Sequence, residues 1–352
     1  MKIVVLAGGL SPERDVSLSS GCMISNALAD KGHAVVMADL FMGIKEPAGG
    51  LDSLFKRKPE YQSLHCSIPS IPPDLDAVQK SRKPDTGGLF GENILPLCQK
   101  ADAVFLALHG AAGENGQLQA AFDLMNITYT GTGYIGCALA MDKIVTKQIL
   151  THAGIPTAPW ISIQDYRHPD WNQLENLGYP IVIKPVRGGS SIGTSIAHNH
   201  EELISGLEMA ARVKPDIMAE KYMGGHEIDV GVLDGKALMP IEIIPKSGFF
   251  DYEKKYQDGL TREVVPAEIP DSYKKVLMTA SEKIHQLLQL GYYSRIDFKI
   301  VDEDHYICME ANTLPGMTPA SLFPKEAAYA GISYADLCNE IVEHCIKPEN
   351  RV

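Results

Sequence analysis

The chain has 352 residues, an apolar share of 45%, a charged share of 22% and a net charge of −12, which is typical of a globular protein of two or three domains. The negative charge and the lack of a long basic run argue against nucleic acid as a partner, and no apolar stretch approaches the roughly 18 residues that a membrane span needs. Seven cysteines without a C-x-x-C pair favour reduced thiols in a cytoplasm over disulfides or a zinc site.

The first 40 residues predict the opening of an open α/β sheet. An apolar strand at 3–7 ends in a glycine turn, and a helix at 16–31 and a strand at 34–39 follow. The first strand is too short for the apolar core of a signal peptide. Glu13 comes just before the helix, at the carboxyl end of the first strand, where open α/β sheets bind ligands, so it could meet a substrate ammonium. An acidic residue favoured only by the helix dipole is an equally good interpretation of this feature alone.

Residues 42–100 interrupt the α/β pattern. Seven prolines and two glycine pairs predict a loop-rich insertion with one short helix, to which we assign no function. The pattern resumes with a strand at 103–108, a polar loop at 109–116, a helix at 118–125 and a strand at 128–130. His109 occupies a position on this sheet equivalent to that of Glu13, although a histidine that caps the strand is the simpler interpretation.

Three glycines after this unit match a dinucleotide-binding pattern. Gly131, Gly133 and Gly136 fit G-x-G-x-x-G between a strand and a helix. No acidic residue that could hold a ribose lies about 20 residues further on, so we interpret the stretch as a turn between domains. A long helix is predicted at 138–153, followed by a glycine and a proline that end it.

A glycine- and serine-rich loop at 188–193 follows an apolar strand at 180–185. Bare backbone N–H groups in such a loop can wrap an anion. The loop is not a Walker A motif, because no Gly-Lys-Ser/Thr closes it, and a β-hairpin turn is the alternative interpretation. Lys184 at the end of the strand favours phosphate, because an unpaired lysine there is costly.

The next predicted elements are a helix at 201–211 and a strand at 217–221. Backbone atoms of the run from Glu220 to Met223 could hydrogen-bond an adenine edge, and Glu227 could hold ribose hydroxyls. Taken alone, this run is better interpreted as the solvated end of a strand.

The most informative part of the chain is a pair of predicted strands at 292–301 and 306–313, which follow a helix near 272–290. Asp297 lies in the first strand, and Glu310 and Asn312 share one face of the second because they are two positions apart. If the strands pair through the short turn between them, the three oxygen-bearing side chains converge. Two carboxylates and an amide suit Mg²⁺ that shares its other positions with phosphates, although a hairpin with a polar, wet face is the alternative.

Cys308 shares the face of Glu310 by strand parity. Because a soft thiolate is a poor ligand for Mg²⁺, we interpret this cysteine as a neighbour of the metal and not as a ligand. Helices near 324–330 and at 333–345 end the pattern.

Together these residues resemble the D-alanine–D-alanine ligases of the ATP-grasp superfamily. The resemblance covers nearly the whole chain except residues 42–100, and its motifs occur in the order of the family. The motifs are Gly-Gly-x-Ser-x-Glu-Arg-x-Val-Ser-Leu (8–18), Leu-His-Gly-x-x-Gly-Glu-x-Gly (108–116), Tyr-Thr-Gly (129–131), Met-Asp-Lys (141–143), Lys-Pro-x-x-x-Gly-Ser-Ser-x-Gly (184–193), Asp-Tyr-x-x-Lys-Tyr (251–256), Arg-Ile-Asp (295–297) and Glu-x-Asn-Thr-x-Pro-Gly-Met-Thr (310–318). Several motifs in order are far more specific than any one of them.

The resemblance implies an α/β protein with the ATP-grasp fold. An N-terminal open α/β (preATP-grasp) domain at 1–131, with the insertion at 42–100, would precede two α+β domains at 132–222 and 223–352 that enclose ATP. The last domain would carry the metal site, with two Mg²⁺ ions expected and Mn²⁺ as a substitute. The family also implies a cytoplasmic homodimer that dimerises through its N-terminal region and acts on small molecules, with no membrane or nucleic acid as partner.

The activity that the resemblance implies is the joining of two D-alanines into D-alanyl-D-alanine, for peptidoglycan precursor synthesis. ATP would be cleaved to ADP and phosphate, and the first D-alanine would pass through an acyl phosphate. Tyr256 and Leu322 look like the peptide-forming, alanine-preferring type, and a D-alanine–D-serine ligase of the same mechanism is the alternative. A pocket difference of one methylene is worth only about 1–3 kcal/mol, so this choice depends on small contacts.

The resemblance also implies roles for individual residues. Glu13 would bind the ammonium of the first substrate near His109. Ser190 and Tyr256 would form a hydrogen-bonded chain with Glu13 and close a loop at 247–260 over the site, so that water does not hydrolyse the acyl phosphate.

Further residues would serve the second substrate, the metal and the nucleotide. Arg295 and the Gly316 N–H would hold the oxyanion of the tetrahedral intermediate, and the carboxylate of the second D-alanine would meet Ser321 and Leu322. The metal ligands would be Asp297, Glu310 and Asn312. The residues expected to bind ATP are Lys143, Lys184, Ser190, Ser191, Glu220, Lys221, Met223, Glu227, Phe249, Lys255 and Met309.

The chain departs from the family pattern in three places. Residues 42–100 do not resemble the usual insert, and Pro319 and Ala320 replace a more usual Ser-His beside the second-substrate site. Lys299 stands where an apolar residue is expected beneath adenine.

Two hypotheses of other classes rank below the ligase. A non-catalytic nucleotide-binding protein of the same fold would lack at least one residue of the catalytic set, and the whole set is present. That set is Lys184, Arg295, Asp297, Glu310 and Asn312. A nicotinamide-dependent oxidoreductase would rest only on the glycines at 131–136.

Overall fold

The computed structural model describes residues 1–56, 69, 71, 73–82, 88–246, 261–302 and 305–347, which form three β-sheets with helices packed on them. The strands are β1 Lys2–Ala7, β2 Ala34–Asp39, β3 Ala103–Leu106, β4 Trp160–Ile163, β5 Ile181–Pro185, β6 Ser195–Ala197, β7 Ile217–Lys221, β8 His226–Leu233, β9 Lys236–Ala237, β10 Ile241–Pro245, β11 Thr261–Val264, β12 Tyr293–Ile300 and β13 Tyr306–Asn312. The helices are α1 Arg14–Asp30, α2 Leu75–Ser81, α3 Ile94–Cys98, α4 Ala111–Glu114, α5 Gln117–Leu124, α6 Tyr134–Met141, α7 Lys143–His152, α8 Trp171–Leu177, α9 His200–Val213, α10 Asp271–Leu287, α11 Leu322–Tyr329 and α12 Tyr334–Cys345, with a 3₁₀ helix at Leu51–Lys56.

The first sheet is parallel, in the order β2-β1-β3. This confirms the predicted open α/β start of the chain. The strand predicted at 128–130 is wrong, since only one bridge, Val104 to Tyr129, forms there. Two backbone hydrogen bonds form this bridge, from the Val104 N–H to the Thr128 carbonyl at 2.8 Å and from the Thr130 N–H to the Val104 carbonyl at 3.0 Å. The next donor, the Leu106 N–H, bonds the Thr130 hydroxyl at 3.1 Å, so the backbone pairing goes no further. The loop predicted at 109–116 contains α4, and the described part of the insertion holds α2, α3 and the 3₁₀ helix rather than one short helix.

The C-terminal helix α12 packs on this N-terminal sheet. Leu337 and Ile341 of α12 belong to the same apolar core as the buried side chains of β1. His33 lies 2.7 Å from the Asn339 side-chain oxygen, and Lys31 pairs with Asp336, at the end of α1. The two ends of the chain are therefore joined by an apolar core and two polar contacts.

The second sheet is antiparallel, in the order β4-β7-β5-β6. Helix α9 packs against it and begins at an Asn199 cap, whose side chain accepts the Glu202 N–H at 2.9 Å. The single helix predicted at 138–153 is wrong, because α6 and α7 are separate. The Asp142 side chain accepts the Val145 N–H at 3.1 Å and so starts a new helix.

The third sheet has six strands in the described residues, in the order β11-β10-β8-β12-β13, with β9 beside β8. Strand β12 pairs with β13 as predicted, with Asp297 opposite Glu310 and Arg295 opposite Asn312. A bulge follows Asp297, so that Cys308 lies opposite Phe298 and its thiol belongs to the apolar core on the other face. The parity argument that put Cys308 on the face of Glu310 is therefore wrong.

No helix in the part of the chain that the structure describes is both long and apolar enough to cross a membrane. The six cysteines in this part are buried free thiols.

Candidate active site

A cleft lies between the second sheet and the β12–β13 hairpin of the third. Asp297 and Glu310 lie at one side of it, and apolar side chains such as Val182 and Ile307 line another part. It brings together nine of the eleven residues predicted to bind ATP, whereas Phe249 and Lys255 lie outside the described residues. The nine are Lys143, Lys184, Ser190, Ser191, Glu220, Lys221, Met223, Glu227 and Met309.

The predicted metal-binding side chains converge on this hairpin. Asp297 stands opposite Glu310, and the Asn312 amide nitrogen donates to the Asp297 carboxylate at 3.0 Å. Two carboxylates and an amide are hard donors that fit Mg²⁺, provided that the Asn312 amide turns over to present its oxygen. The described residues hold no cluster of three or more His, Cys, Asp or Glu side chains suited to a metal, so waters or phosphates would complete the coordination.

Arg295 is held beside the predicted metal ligands by two aspartates. Its Nε and Nη2 each donate to one oxygen of Asp297 at 2.8 Å, and its Nε is also 2.8 Å from Asp229 Oδ2. Burial opposes the charge of the guanidinium, but the two carboxylates outweigh it and raise the pKa of Arg295 well above its usual value. Arg295 is therefore a fixed cation next to the cleft.

Asp229 was missed by the sequence analysis. Burial, with the neighbouring Asp297 carboxylate, raises its pKa well above the usual value. The sequence feature that could have identified it is the position of this aspartate inside the apolar run 228–233. A buried polar residue of that kind needs a partner, and the fold supplies it as Arg295.

Lys184 and Lys147 flank a buried carboxylate, Glu220. Glu220 lies 2.5 Å from Lys184 and 2.9 Å from Lys147. Burial alone would raise the pKa of Glu220, but the two lysines lower it below its usual value. Lys147, which the sequence analysis did not select, also donates to the Thr157 hydroxyl at 2.7 Å and is fully enclosed. The Glu220 side chain thus positions lysines, whereas the prediction concerned its backbone.

Lys143 links the glycine-rich loop to the hairpin. Its ammonium donates to the Gly188 carbonyl at 2.7 Å and lies 3.7 Å from Glu310. Burial lowers its pKa, although Glu310 opposes this. Lys143, Lys147 and Lys184 therefore line the same part of the cleft, near the carboxylates.

The glycine-rich loop has two serines in a left-handed conformation. Ser190 has a φ of 49° and Ser191 a φ of 58°, which costs a non-glycine residue on the order of 1–3 kcal/mol. The Ser190 hydroxyl donates a hydrogen bond to Glu13, which ties the loop to the first sheet. Strain of this kind persists only where surrounding contacts fix it, and it is common at ligand sites.

Glu13 lies between two glycine-containing loops. A Cβ added at Gly110 would stand 2.9 Å from the Glu13 carboxylate, and one at Gly189 would stand 3.4 Å from it. His109 is buried, which lowers its pKa despite the opposing effect of Glu13, and its Nε2 has no hydrogen-bond partner among the described residues. The structure therefore brings Glu13, Ser190 and His109 together as predicted.

Glu114 is a further carboxyl group that the sequence analysis left without a role. It accepts the Gly110 N–H at 2.7 Å. Burial, together with the Glu13 charge, raises its pKa to about 8. The sequence feature that could have identified Glu114 is the motif at 108–116, in which it is the only acidic residue.

The end of the cleft predicted to hold the base contains an ion pair. Lys299 stands opposite Glu227 in the β8–β12 ladder, and their charged groups are 3.2 Å apart. Lys299, which stands where an apolar residue was expected, is therefore paired with Glu227, the residue predicted to bind the ribose. The Lys221 N–H already donates to the Pro159 carbonyl at 2.9 Å, so this backbone group is engaged within the protein.

The predicted second-substrate residues lie at the start of α11. The Thr318 N–H and hydroxyl are 3.2 and 2.9 Å from the Ser321 Oγ, and a Cβ at Gly316 would come within 2.9 Å of the same atom. The Leu322 side chain packs against Ile241, so its backbone N–H in the first turn is the group that can face a ligand. Tyr256, predicted to close the site, lies outside the described residues.

The glycines at 131–136 serve close packing. A Cβ at Gly136 would meet the Gln289 carbonyl at 2.3 Å, and the Thr132 hydroxyl donates to the Leu290 carbonyl at 2.5 Å. This fits the interpretation as a turn between parts of the chain.

Comparison with known proteins gives a consistent result. Two family models match, "D-ala D-ala ligase N-terminus" over residues 2–132 and "D-ala D-ala ligase C-terminus" over residues 149–343. The D-alanine–D-alanine ligase of Pediococcus pentosaceus is 44% identical over 346 residues, with 97% of each chain covered. That of Lacticaseibacillus casei is 39% identical over 348 residues, with 99% of this chain and 96% of the relative covered. The crystal structure of the Bacillus anthracis enzyme complexed with ATP matches with a TM-score of 0.75 and 31% identity, over 98% of this chain and 97% of that one.

Proposed function

The chain belongs to the D-alanine–D-alanine ligase family, and we infer that its cleft joins two D-alanines into D-alanyl-D-alanine for peptidoglycan precursor synthesis, with cleavage of ATP to ADP and phosphate. The observation that carries this most directly is the meeting of Glu13, from the first sheet, with Ser190 of the loop beside the lysines. The carboxylate proposed to bind an ammonium group thus lies next to the loop proposed to bind phosphate. A reaction between an amino acid and ATP requires this arrangement.

The first step activates a carboxylate. An amine does not attack a carboxylate at neutral pH, because the oxygen is a poor leaving group. Transfer of the γ-phosphoryl group to the first D-alanine makes an acyl phosphate, and the amine of the second D-alanine then displaces phosphate. Phosphoryl transfer of this kind depends mainly on positioning and on neutralising charge.

We propose that the lysines and the hairpin carry out the phosphoryl step. Lys143 and Lys184, with Lys255, would bind the phosphates of ATP, and Glu220 would hold Lys184 in place. Asp297, Glu310 and Asn312 would hold Mg²⁺, as two ions or with Mn²⁺ in its place, and the bound metal would neutralise phosphate charge. The backbone near Lys221 and Met223 would bind the base, with Met309 beside it, and Glu227 would bind the ribose.

Substrate binding is proposed for the other end of the cleft. Glu13, with His109 nearby, would bind the ammonium of the first D-alanine. The chain from Glu13 through Ser190 to Tyr256 would close the site. Arg295 and the Gly316 N–H would hold the oxyanion that forms when the amine attacks.

The second D-alanine would bind at the start of α11. Its carboxylate would meet the Ser321 hydroxyl and the Leu322 N–H, because a helix N-terminus offers unpaired donors to an anion. Pro319 and Ala320, the exposed pair that departs from the family pattern, lie next to this position.

The domain division and the assembly are also proposals. Domains at 1–131, 132–222 and 223–352 are supported by the three separate sheets, although α12 packs on the first of them. A homodimer in the cytoplasm is expected from the family and from the use of ATP.

The test is to incubate the protein with ATP, Mg²⁺ and D-alanine, measure phosphate release and identify the product by mass. Dipeptide formed from D-alanine alone is the expected result. Turnover that requires added D-serine or D-lactate would instead assign a variant ligase, and the relatives named above do not favour that outcome.

A further inference from the structure

Asp229 is a buried carboxyl group next to the reacting centre to which the proposed mechanism gives no task. We propose that Asp229 is a positioning residue that keeps Arg295 in place when Asp297 turns from the arginine to a divalent metal. This inference rests on the proposed function, because it takes Asp297 as a metal ligand and Arg295 as the group that holds the oxyanion.

Asp297 has two competing tasks in the proposed site. Both of its oxygens accept hydrogen bonds from Arg295 at 2.8 Å, and one of them also accepts from Asn312 at 3.0 Å. A metal ion and a guanidinium on the same carboxylate repel each other. Metal binding therefore weakens the hold of Asp297 on Arg295, at the stage when the oxyanion requires Arg295 in a fixed position.

Asp229 is already placed to accept a hydrogen bond from the Arg295 guanidinium. Its Oδ2 is 2.8 Å from Arg295 Nε, the same atom that donates to Asp297. Asp229 also stands directly opposite Asp297 in the β8–β12 ladder, so the two carboxylates lie on one face of the sheet at either side of the guanidinium. A small rotation of the guanidinium suffices to move its Nε hydrogen bond from one to the other.

The side chain of Asp229 has no hydrogen-bond or ion-pair partner other than Arg295 among the described residues. It is 2% exposed, and its Oδ1 has no hydrogen-bond partner in this part of the chain. Packing alone does not require a carboxylate here, because an apolar residue would satisfy a buried strand position at lower cost. The contact with Arg295 accounts for the acid.

The nearby Glu326 is the matched control. It is also fully buried and accepts the Gly231 N–H at 2.7 Å, and one of its oxygens likewise lacks a partner among the described residues. Its hydrogen bond is to the backbone of β8 and not to Arg295. Glu326→Gln therefore changes a buried acid close by and leaves the two aspartates that contact Arg295 intact.

The test is Asp229→Asn in the full-length protein, with Glu326→Gln beside it. Without Asp229, Arg295 depends on Asp297 alone and competes more strongly with the metal. We expect the free Mg²⁺ concentration for half-maximal ADP formation to rise about 10-fold, in the range known for residues that orient metal ligands. Binding of Mn²⁺ with a non-hydrolysable ATP analogue, followed by electron paramagnetic resonance, should weaken by the same factor. Nucleotide affinity without metal should not change.

The inference about Asp229 would be overturned if Asp229→Asn bound Mn²⁺ as tightly as the unaltered protein, or if Asp229→Asn and Glu326→Gln weakened Mn²⁺ binding equally. Either result would leave the proposed function standing. No Mn²⁺ binding in the unaltered protein would overturn the metal site, and with it the proposed function. If Asp229→Asn does not fold, Asp229→Thr suits a strand, lacks the carboxyl group and is expected to shift the metal requirement in the same direction.

Discussion

The Ser190 hydroxyl donates a hydrogen bond to Glu13, a residue 177 positions earlier in the chain. This contact joins the glycine-rich loop of the second sheet to the strand–helix turn of the first. It places the group proposed to bind a substrate ammonium beside the loop proposed to bind phosphate.

Glu13→Gln should raise the KM for the first D-alanine by about 10-fold or more and leave the KM for ATP nearly unchanged. The reason is that a hydrogen bond to a charged group contributes about 1.5–3 kcal/mol, and the amide keeps the shape but not the charge. Initial rates at varied D-alanine and ATP measure both constants. Asp15→Asn, in the first turn of α1, is the control and should have no effect. A change confined to the ATP constant would mean that Glu13 is wrongly assigned.

Arg295→Lys should lower kcat by about 100-fold or more while nucleotide binding is retained, because lysine cannot form the forked contact that fixes the cation for the oxyanion. ADP formation and titration with a fluorescent nucleotide separate the two effects. Arg262→Lys, in an exposed pair with Glu268, is the matched control. Unchanged turnover in Arg295→Lys would rule out the oxyanion role.

Glu220→Gln should destabilise the protein by about 3 kcal/mol, because it leaves Lys184 and Lys147 buried without their shared carboxylate. The KM for ATP should rise as Lys184 loses its fixed position. Urea unfolding and steady-state kinetics measure the two effects. Glu268→Gln, which breaks an exposed pair, should cost less than about 1 kcal/mol. Equal losses in the two variants would contradict the account.

The raised pKa of Glu114 predicts that the free energy of unfolding depends on pH. Its pKa rises from 4.5 to about 8 on folding, so the folded state binds the extra proton between these values. The free energy of unfolding that Glu114 contributes is fully present below about pH 4.5 and is lost as the pH rises to about 8. Urea unfolding at pH 5, 6.5 and 8 should show the unaltered protein losing stability relative to Glu114→Gln. Parallel curves for the two proteins would contradict this.

The convergence of the three side chains proposed to bind a metal could be predicted, because it depends only on residues that are close in the sequence. Asp297, Glu310 and Asn312 lie in two strands joined by a short turn, and side-chain alternation brings them to one face. The bulge after Asp297 could not be predicted, because nothing in the local pattern marks an extra residue, and it moved Cys308 to the core.

Contacts between distant segments were the main omissions. Asp229, Lys147 and Glu114 gain their importance only from partners that the fold brings to them. Packing of α12 on the first sheet likewise depends on apolar faces that are far apart in the chain. The polar contact of His33 with Asn339 at the same place joins residues 306 positions apart. The family motifs identify most residues of the candidate site, but pairwise contacts such as that between Lys299 and Glu227 depend on the three-dimensional fold.

The measurement that tests the central claim most directly follows the oxygen atoms of D-alanine. In the proposed reaction a carboxylate oxygen of the first D-alanine attacks the γ-phosphorus, and the C–O bond breaks when the amine attacks. With D-alanine labelled with ¹⁸O at both carboxylate oxygens, each phosphate released should therefore carry one ¹⁸O, detectable by mass spectrometry, and the product should be D-alanyl-D-alanine. Phosphate without the label would show that ATP is cleaved by water or by another acceptor, and would contradict the acyl-phosphate mechanism.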